Sequence, residues 1–313
     1  MQDTNSDFEP DLADLTKGEW LARLTDVAEE QGFFRHLGKR HFAAHIRRGD
    51  TLLVSFETVQ GIRGLSETAE PMGWEMVRNN GWSHLCVVSE GDTWFRDRKV
   101  YSLFDDLVDE GFFDDFDTVV FYGAGPCGYA AAAFSVAAPG ARVIAVQPQA
   151  TLDPRVTEWD DRFFEMRRAS FTDRYGYAPD MLDACDHAYV LYDPVETLDA
   201  VHAALFTRPC VTKLRLRHMG DAIQGDLIAM NMLGPLLVHA AQDNLNDAQF
   251  ARLYRARRDH LPYLRRVMAA LDAHDREDLV AMMARNVTRR MKAPRFQRRL
   301  AKIDAGRSIA PKD

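Results

Sequence analysis

Six residues, Gly123-Ala124-Gly125-Pro126-Cys127-Gly128, separate an apolar run from an alanine-rich one in Thr118–Ala133, TVVFYGAGPCGYAAAA. A strand, glycine turn and helix in that order can place chemistry in two ways. Spaced as G-x-G-x-x-G, Gly123, Gly125 and Gly128 would let a pyrophosphate approach a helix N-terminus. Alternatively, the turn is a nucleophile elbow, a strained bend that lifts one side chain above a sheet. Cys127 is the nucleophile type on offer. Near a helix start its thiol would be acidified by the dipole, with the Gly128 N–H beside it. Its other reading is a small buried residue that packs the helix on the sheet.

The run resembles the GAGPxG fingerprint of flavin-dependent oxidoreductases, which would imply flavin or NAD. That reading expects an acid at the end of the next strand to hold the ribose hydroxyls, where RVIAVQPQ presents Gln147 and Gln149. The unit also begins at residue 118, after at least two strands, whereas flavoproteins usually open with it. No cofactor is expected outside this alternative.

The wider sequence favours the elbow. YGAGPCGYAA followed by RVIAVQPQATLDPRVTEWDDRF resembles bacterial α/β-hydrolase-like proteins linked with surface-polysaccharide genes, which carry a G-x-S-M-G-G-Y-A-A elbow and then S-P-Q-x-S-L-D-P. The resemblance continues in Asp92-Thr93-Trp94-Phe95, Tyr192-Asp193-Pro194 and His218-Met219-Gly220, and covers roughly residues 50–236. It implies nucleophile, acid and histidine in that chain order, at strand ends. Asp193 after HAYVLYD, with Asp199 as an alternative, and His218 after VTKLRLR fill the last two places. Read singly, Asp193 starts a turn and His218 caps a strand.

Alignment on GYAA puts Gly125 where the family has its serine, and Pro126 has no N–H to give an oxyanion hole. Two expectations follow. One is a hydrolase or acyltransferase acting on a small ester, thioester or saccharide-linked acyl group. In it Cys127 attacks, His218 is general base, Asp193 orients it, Gly128 N–H helps stabilise the oxyanion, and a second donor is needed from the turn after Thr51–Thr58, the position of Phe56 and Glu57. The other is a pseudo-hydrolase that holds a ligand or partner without catalysis.

The elements that must position these residues alternate. Thr51–Thr58, Ser83–Ser89, Thr118–Gly123, Arg142–Gln147, His187–Asp193 and Val211–His218 read as strands, with His41–Arg47 as a further candidate. Helical stretches such as Val100–Glu110 and Tyr129–Ala138 lie between them. The fold class is therefore α/β, a three-layer, mostly parallel sheet with helical additions at both ends. Residues 1–38 read as an N-terminal helical segment, with helical periodicity over Gly18–Gly38 after a cap at Thr16. Residues 39–236 form the α/β-hydrolase-like core, and 237–313 a basic helical appendage. Glu90 and Asp92 end a strand and could line the same crevice. Trp94, Phe95, Trp159 and Tyr175 could line it too, or fill the core.

Composition excludes other classes. The 313 residues are 46% apolar and carry a net charge of -8, enough to build a large core. Residues 251–313 hold 17 Lys/Arg against 7 Asp/Glu, a net +10, which reads as a tail docked on an acidic body, with nucleic acid an unlikely partner and a small-molecule ligand the expected one. The acidic, polar start and the lack of a spanning run argue against a signal peptide or membrane span and for the cytoplasm. Cys86, Cys127, Cys185 and Cys210, without CxxC pairing, read as reduced thiols, and no metal motif or GxxxxGK[ST] loop is present. The oligomeric state stays open.

Overall fold

A computed structural model of the chain describes Phe8 and residues 10–309. Eight strands form one sheet: β1 (Gly32–His36), β2 (His41–Ile46), β3 (Thr51–Thr58), β4 (Ser83–Ser89), β5 (Thr118–Ala124), β6 (Arg142–Val146), β7 (His187–Tyr192) and β8 (Val211–Arg215). Their spatial order is β1-β2-β4-β3-β5-β6-β7-β8. β2 runs antiparallel to both neighbours, and the strands from β4 through β3 to β8 are parallel. The order reverses between β3 and β5, so ligands are expected at the C-terminal ends of these strands.

The N-terminal reading needs one correction. The helix α1 (Lys17–Gln31) starts where expected, with Thr16 and Glu19 forming a capping box, but it stops at Gln31 and Gly32–His36 continues as β1. Gly32 allows this, since a Cβ there would crowd the backbone of His45 on β2. β1 then presents Phe33 to the Phe112 ring and Phe34 to the Phe42 ring, at centroid distances of 6.1 and 5.3 Å. Pairing with β2 thus overrides helical periodicity.

Side chains of the central strands alternate between two cores. Four helices follow α1 in chain order, α2 (Val59–Leu65), α3 (Gly73–Asn80), α4 (Arg98–Asp109) and α5 (Pro126–Phe134), and Val119, Phe121, Val143 and Ala145 face the layer of α4 and α5. Val120, Tyr122, Ile144 and Val146 face the opposite layer, with Ile223, Leu227, Leu233, Leu236 and Leu237. These strand residues are buried on both faces, which explains their near-continuous apolarity. Each of the buried Val, Ile, Leu and Phe side chains contributes about 1.5–3 kcal/mol by leaving water. Toward β1, α1 and the helix Gly73–Asn80 cover β2 and β4 through Trp20, Leu24 and Trp74.

The basic C-terminal segment divides in two. Leu245, Phe250 and Tyr254 pack in the same core as Val120 and Ile144 of the sheet. The helices Leu261–Ala273, Glu277–Arg290 and Pro294–Ile309 instead share a small core around Leu264, Val287 and Phe296. Arg266 anchors them to the body by donating Nε to the His218 carbonyl at 3.0 Å and pairing with Asp226. Other arginines pair within the segment, Arg299 with Asp272 and Arg290 with Asp259. Among the described residues no helix is long and apolar enough to cross a membrane. All four cysteines are free thiols, although Cys185 and Cys210, distant in sequence, have sulfurs 3.4 Å apart.

Candidate functional site

β5 ends at Ala124, and the chain turns into α5 through Gly125, whose backbone sits at φ +57°, ψ -123°. L side chains rarely adopt that conformation, which belongs to the strained strand-to-helix bend of an elbow. The Gly125 N–H donates to the Val146 carbonyl at 2.8 Å, and its carbonyl accepts from Tyr129 N–H at 3.0 Å. A Cβ built on Gly125 meets nothing within 4 Å, so the apex has open space where a nucleophile elbow would carry its side chain. The flanking glycines answer to a different need. A Cβ on Gly123 would lie 2.8 Å from the Gly128 nitrogen and closer still to the Cys127 carbonyl, and one on Gly128 would lie 3.0 Å from the Val146 carbonyl. G-x-G-x-x-G here is a device for seating α5 against β5 and β6. Pro126 occupies the first helical turn, which suits its fixed φ and removes one N–H.

Asp193 and His218 follow β7 and β8, at the same sheet edge. Asp193 is 1% exposed, and both its carboxylate oxygens accept backbone N–H groups, Oδ1 from Val195 at 2.9 Å and Oδ2 from Gly220 at 2.7 Å. It therefore ties the β7 and β8 loops together. His218 has φ +67°, and its ring makes no hydrogen bond among the described residues. Burial and the neighbouring Arg217 lower its pKa, while Asp193 pulls the other way. Asp199 accepts Arg162 Nη1 at 2.7 Å and Gln147 Nε2 at 2.8 Å. The Gln147 oxygen in turn accepts Ile223 N–H at 3.2 Å, so the glutamine serves as a brace between loops.

Cys127 lies in the first turn of α5, on the wall of a cavity of about 750 Å³ beside the elbow. Neither Asp193 nor His218 lines that cavity. The thiol is 7% exposed, and its pKa is raised, first by burial and then by the carboxyl groups of Glu57 and Asp92. The expected acidified cysteine is thus corrected: desolvation and two acids outweigh the helix dipole. With iodoacetamide and the native chain, the half-buried Cys210 is expected to react first, with Cys127 and Cys86 at least about tenfold slower until denaturant is added. Rapid labelling of Cys127, read by peptide mass spectrometry, would restore the acidified thiol.

The other expected site residues disperse. Phe56 lines the cavity, but its ring is buried and stacks on Phe104 and Phe134 at 5.9 and 5.5 Å. Asp92 lines the cavity, whereas Glu90 pairs with Lys17 outside it. Trp94, Phe95 and Tyr175 are core, and Trp159 is 39% exposed.

Sequence spacing missed a buried polar set on one face of β3 and β4. Ser55 Oγ lies 2.6 Å from Glu57 Oε1 and 2.8 Å from His84 Nε2. Cys86 Sγ donates to Glu57 Oε1 at 3.3 Å, and Met72 N–H donates to Oε2 at 3.1 Å. Burial raises the Glu57 pKa and lowers that of His84 to about 3, which favours neutral forms of both. Ligand atoms of Glu57, His84 and Cys86 lie within 4.8 Å of one another, a donor set that suits zinc in kind. The only sequence signal was the pair of i, i+2 spacings, Ser55/Glu57 and His84/Cys86. Their coincidence depends on the register that sets Ser55 opposite Cys86.

The sheet order, the elbow at Gly125, and an acid and a histidine after β7 and β8 define an α/β-hydrolase-like fold. No family model and no curated protein sequence matches the chain. Similar solved structures include an esterase of Pyrobaculum calidifontis, 15% identical with a TM-score of 0.41, over 69% of this chain and 80% of that one. Est1E from Butyrivibrio proteoclasticus is 13% identical with a TM-score of 0.39, over 63% of this chain and 93% of that one. The capsule O-acetyltransferase of Neisseria meningitidis serogroup A is 9% identical with a TM-score of 0.39, over 61% of this chain and 91% of that one.

Proposed function

We propose that this chain uses an α/β-hydrolase frame to bind a small molecule in the cavity beside the elbow, without turning over an acyl group. The observation that carries this reading is the apex itself. Gly125 keeps the strained backbone of a nucleophile position and has no side chain to attack with. Three further features support it. Pro126 cannot donate to an oxyanion, Asp193 is engaged by two backbone amides, and burial and nearby acids raise the pKa of the thiol on the cavity wall, Cys127. The dinucleotide alternative has less support, since the glycines seat the helix and Gln147 braces loops where a ribose anchor would be needed.

The second reading rests on Cys127 lining the cavity. In it the Cys127 sulfur, deprotonated by His218, attacks an acyl carbon with Asp193 orienting the imidazole. The Gly128 N–H stabilises the oxyanion, His218 returns the proton to the departing alcohol or thiol, and water or a second alcohol then takes the acyl group. The two are separated with the full chain and p-nitrophenyl acetate. The binding reading expects no multiple turnover above the rate of Cys127→Ala. Turnover that vanishes in both Cys127→Ala and His218→Ala would overturn it.

A further inference from the structure

The cavity walls differ sharply in chemistry. Ile62, Met72, Ile228 and Leu233 give it an apolar side, and Leu65 stands 46% exposed at its border. Its charged side is one-signed. Glu57, Glu67, Glu70, Glu75 and Asp92 line it against a single cationic residue, Arg78, which is already held by Glu70 at 2.6 Å. Four carboxyl groups therefore have no cationic partner within the wall. Glu57 and Asp92 both act on the Cys127 thiol, which puts them at the elbow end, with Glu57 fixed by Ser55, Cys86 and the Met72 N–H.

Such a wall repels carboxylates and phosphates, and a buried acceptor group rewards a ligand that brings its own positive charge and N–H donors. Among the described lining residues Phe56 is the only aromatic, and its ring is committed to the core. There is no platform for a sugar ring and no aromatic cage for a quaternary ammonium. The volume, about 750 Å³, suits a molecule of ordinary ligand size.

We infer that the cavity takes a protonated primary or secondary amine bearing an apolar chain or ring. The ammonium group sits between Glu57 and Asp92 beside the elbow, where its charge draws Glu57 from the neutral acid that burial favours to the carboxylate, the proton passing to solvent, and the apolar part lies against Ile62, Leu65, Met72 and Ile228. This rests on the binding reading above and names the class of ligand.

The test is calorimetric titration of the full chain with n-hexylamine, n-hexanol and n-hexanoate, equal in length and different in head group. Hexylamine is expected to bind at least about tenfold more tightly than hexanol, with hexanoate weakest. Glu57→Gln is expected to weaken hexylamine binding by about tenfold or more, and Asp92→Asn by about threefold, with hexanol unaffected by either. Should Glu57→Gln fail to fold, the exposed Asp92→Asn carries the comparison. Hexanol or hexanoate binding as tightly as hexylamine, no heat from hexylamine, or a hexylamine affinity indifferent to Asp92→Asn would each overturn the inference. The binding reading fails by a different sign, multiple turnover of p-nitrophenyl acetate, whatever hexylamine does.

Discussion

Gly123→Ala is expected to yield no stably folded protein. The added methyl would press on backbone atoms of Cys127 and Gly128, which a side-chain rotation cannot relieve. Room can be made only by lifting α5 from β5, and α5 is buried along its length, with Ala130, Ala131, Ala132 and Ala133 fully enclosed. The cost should exceed about 4 kcal/mol, against a typical total stability of about 5–15 kcal/mol. Gly125→Ala, two residues on, is the control. Its methyl meets nothing within 4 Å, and only the positive φ is penalised, by about 1–3 kcal/mol. Urea denaturation of the two variants should separate steric contact from backbone strain, and a Gly123→Ala protein as stable as the parent would refute the close packing. Gly125→Ser should fold like Gly125→Ala and still fail to turn over p-nitrophenyl acetate, because Pro126 continues to deny the oxyanion an N–H.

Acid should unfold the chain well before its carboxylates protonate. His41 and His45 have pKa values lowered to about 4, and His84 to about 3, in each case chiefly by burial. Unfolded, all three would take a proton near pH 6.5. A folded-state pKa below the unfolded one stabilises the protein above the unfolded value, and that stability is lost as pH falls from about 6.5 toward the folded values. At about 1.4 kcal/mol per unit for each group, three histidines remove on the order of 5 kcal/mol between pH 6.5 and 5. Glu57 and Glu196, with raised pKa values, work in the opposite sense, but His202 and His218 are lowered as well, so two carboxyl groups stand against five histidines. The urea midpoint should therefore drop steeply below pH 6.5, and a flat profile from 6.5 to 5 would refute the assignment. His45→Phe should flatten the slope by about one proton. Its ring already packs against Phe33 and Phe112, at 5.0 Å from each, and its Nε2 has no partner.

The starts of the strands were legible in the sequence and their ends less so. Thr51, Ser83, Thr118, Arg142, His187 and Val211 each open a strand as read. Gln147, Asp193 and His218, read as terminal strand residues, lie just beyond, since apolar alternation can persist after the hydrogen-bond ladder has ended. That overrun mattered little for the elbow, because the same residues still reach the sheet's C-terminal edge. β1 was hidden because GFFRH continues the apolar spacing of the helix before it. The cavity was not legible at all. Ile62, Met72, Ile228 and Leu233 come from segments separated by more than 150 residues, and no local pattern links them. The state of Cys127 was misjudged for a related reason: position along a helix is visible in a sequence, whereas the depth that desolvates a thiol is a property of the whole fold.

The division of the C-terminal segment bears on how this chain can be shortened. Phe250 and Tyr254 cover the same apolar surface as Val120 and Ile144, so a truncation at residue 236 would strip the sheet and favour aggregation. A cut after 260 would leave most of that cover in place and remove a small bundle that meets the body through Tyr263, the Arg290 pair with Asp259 and the Arg266 clasp on the His218 loop.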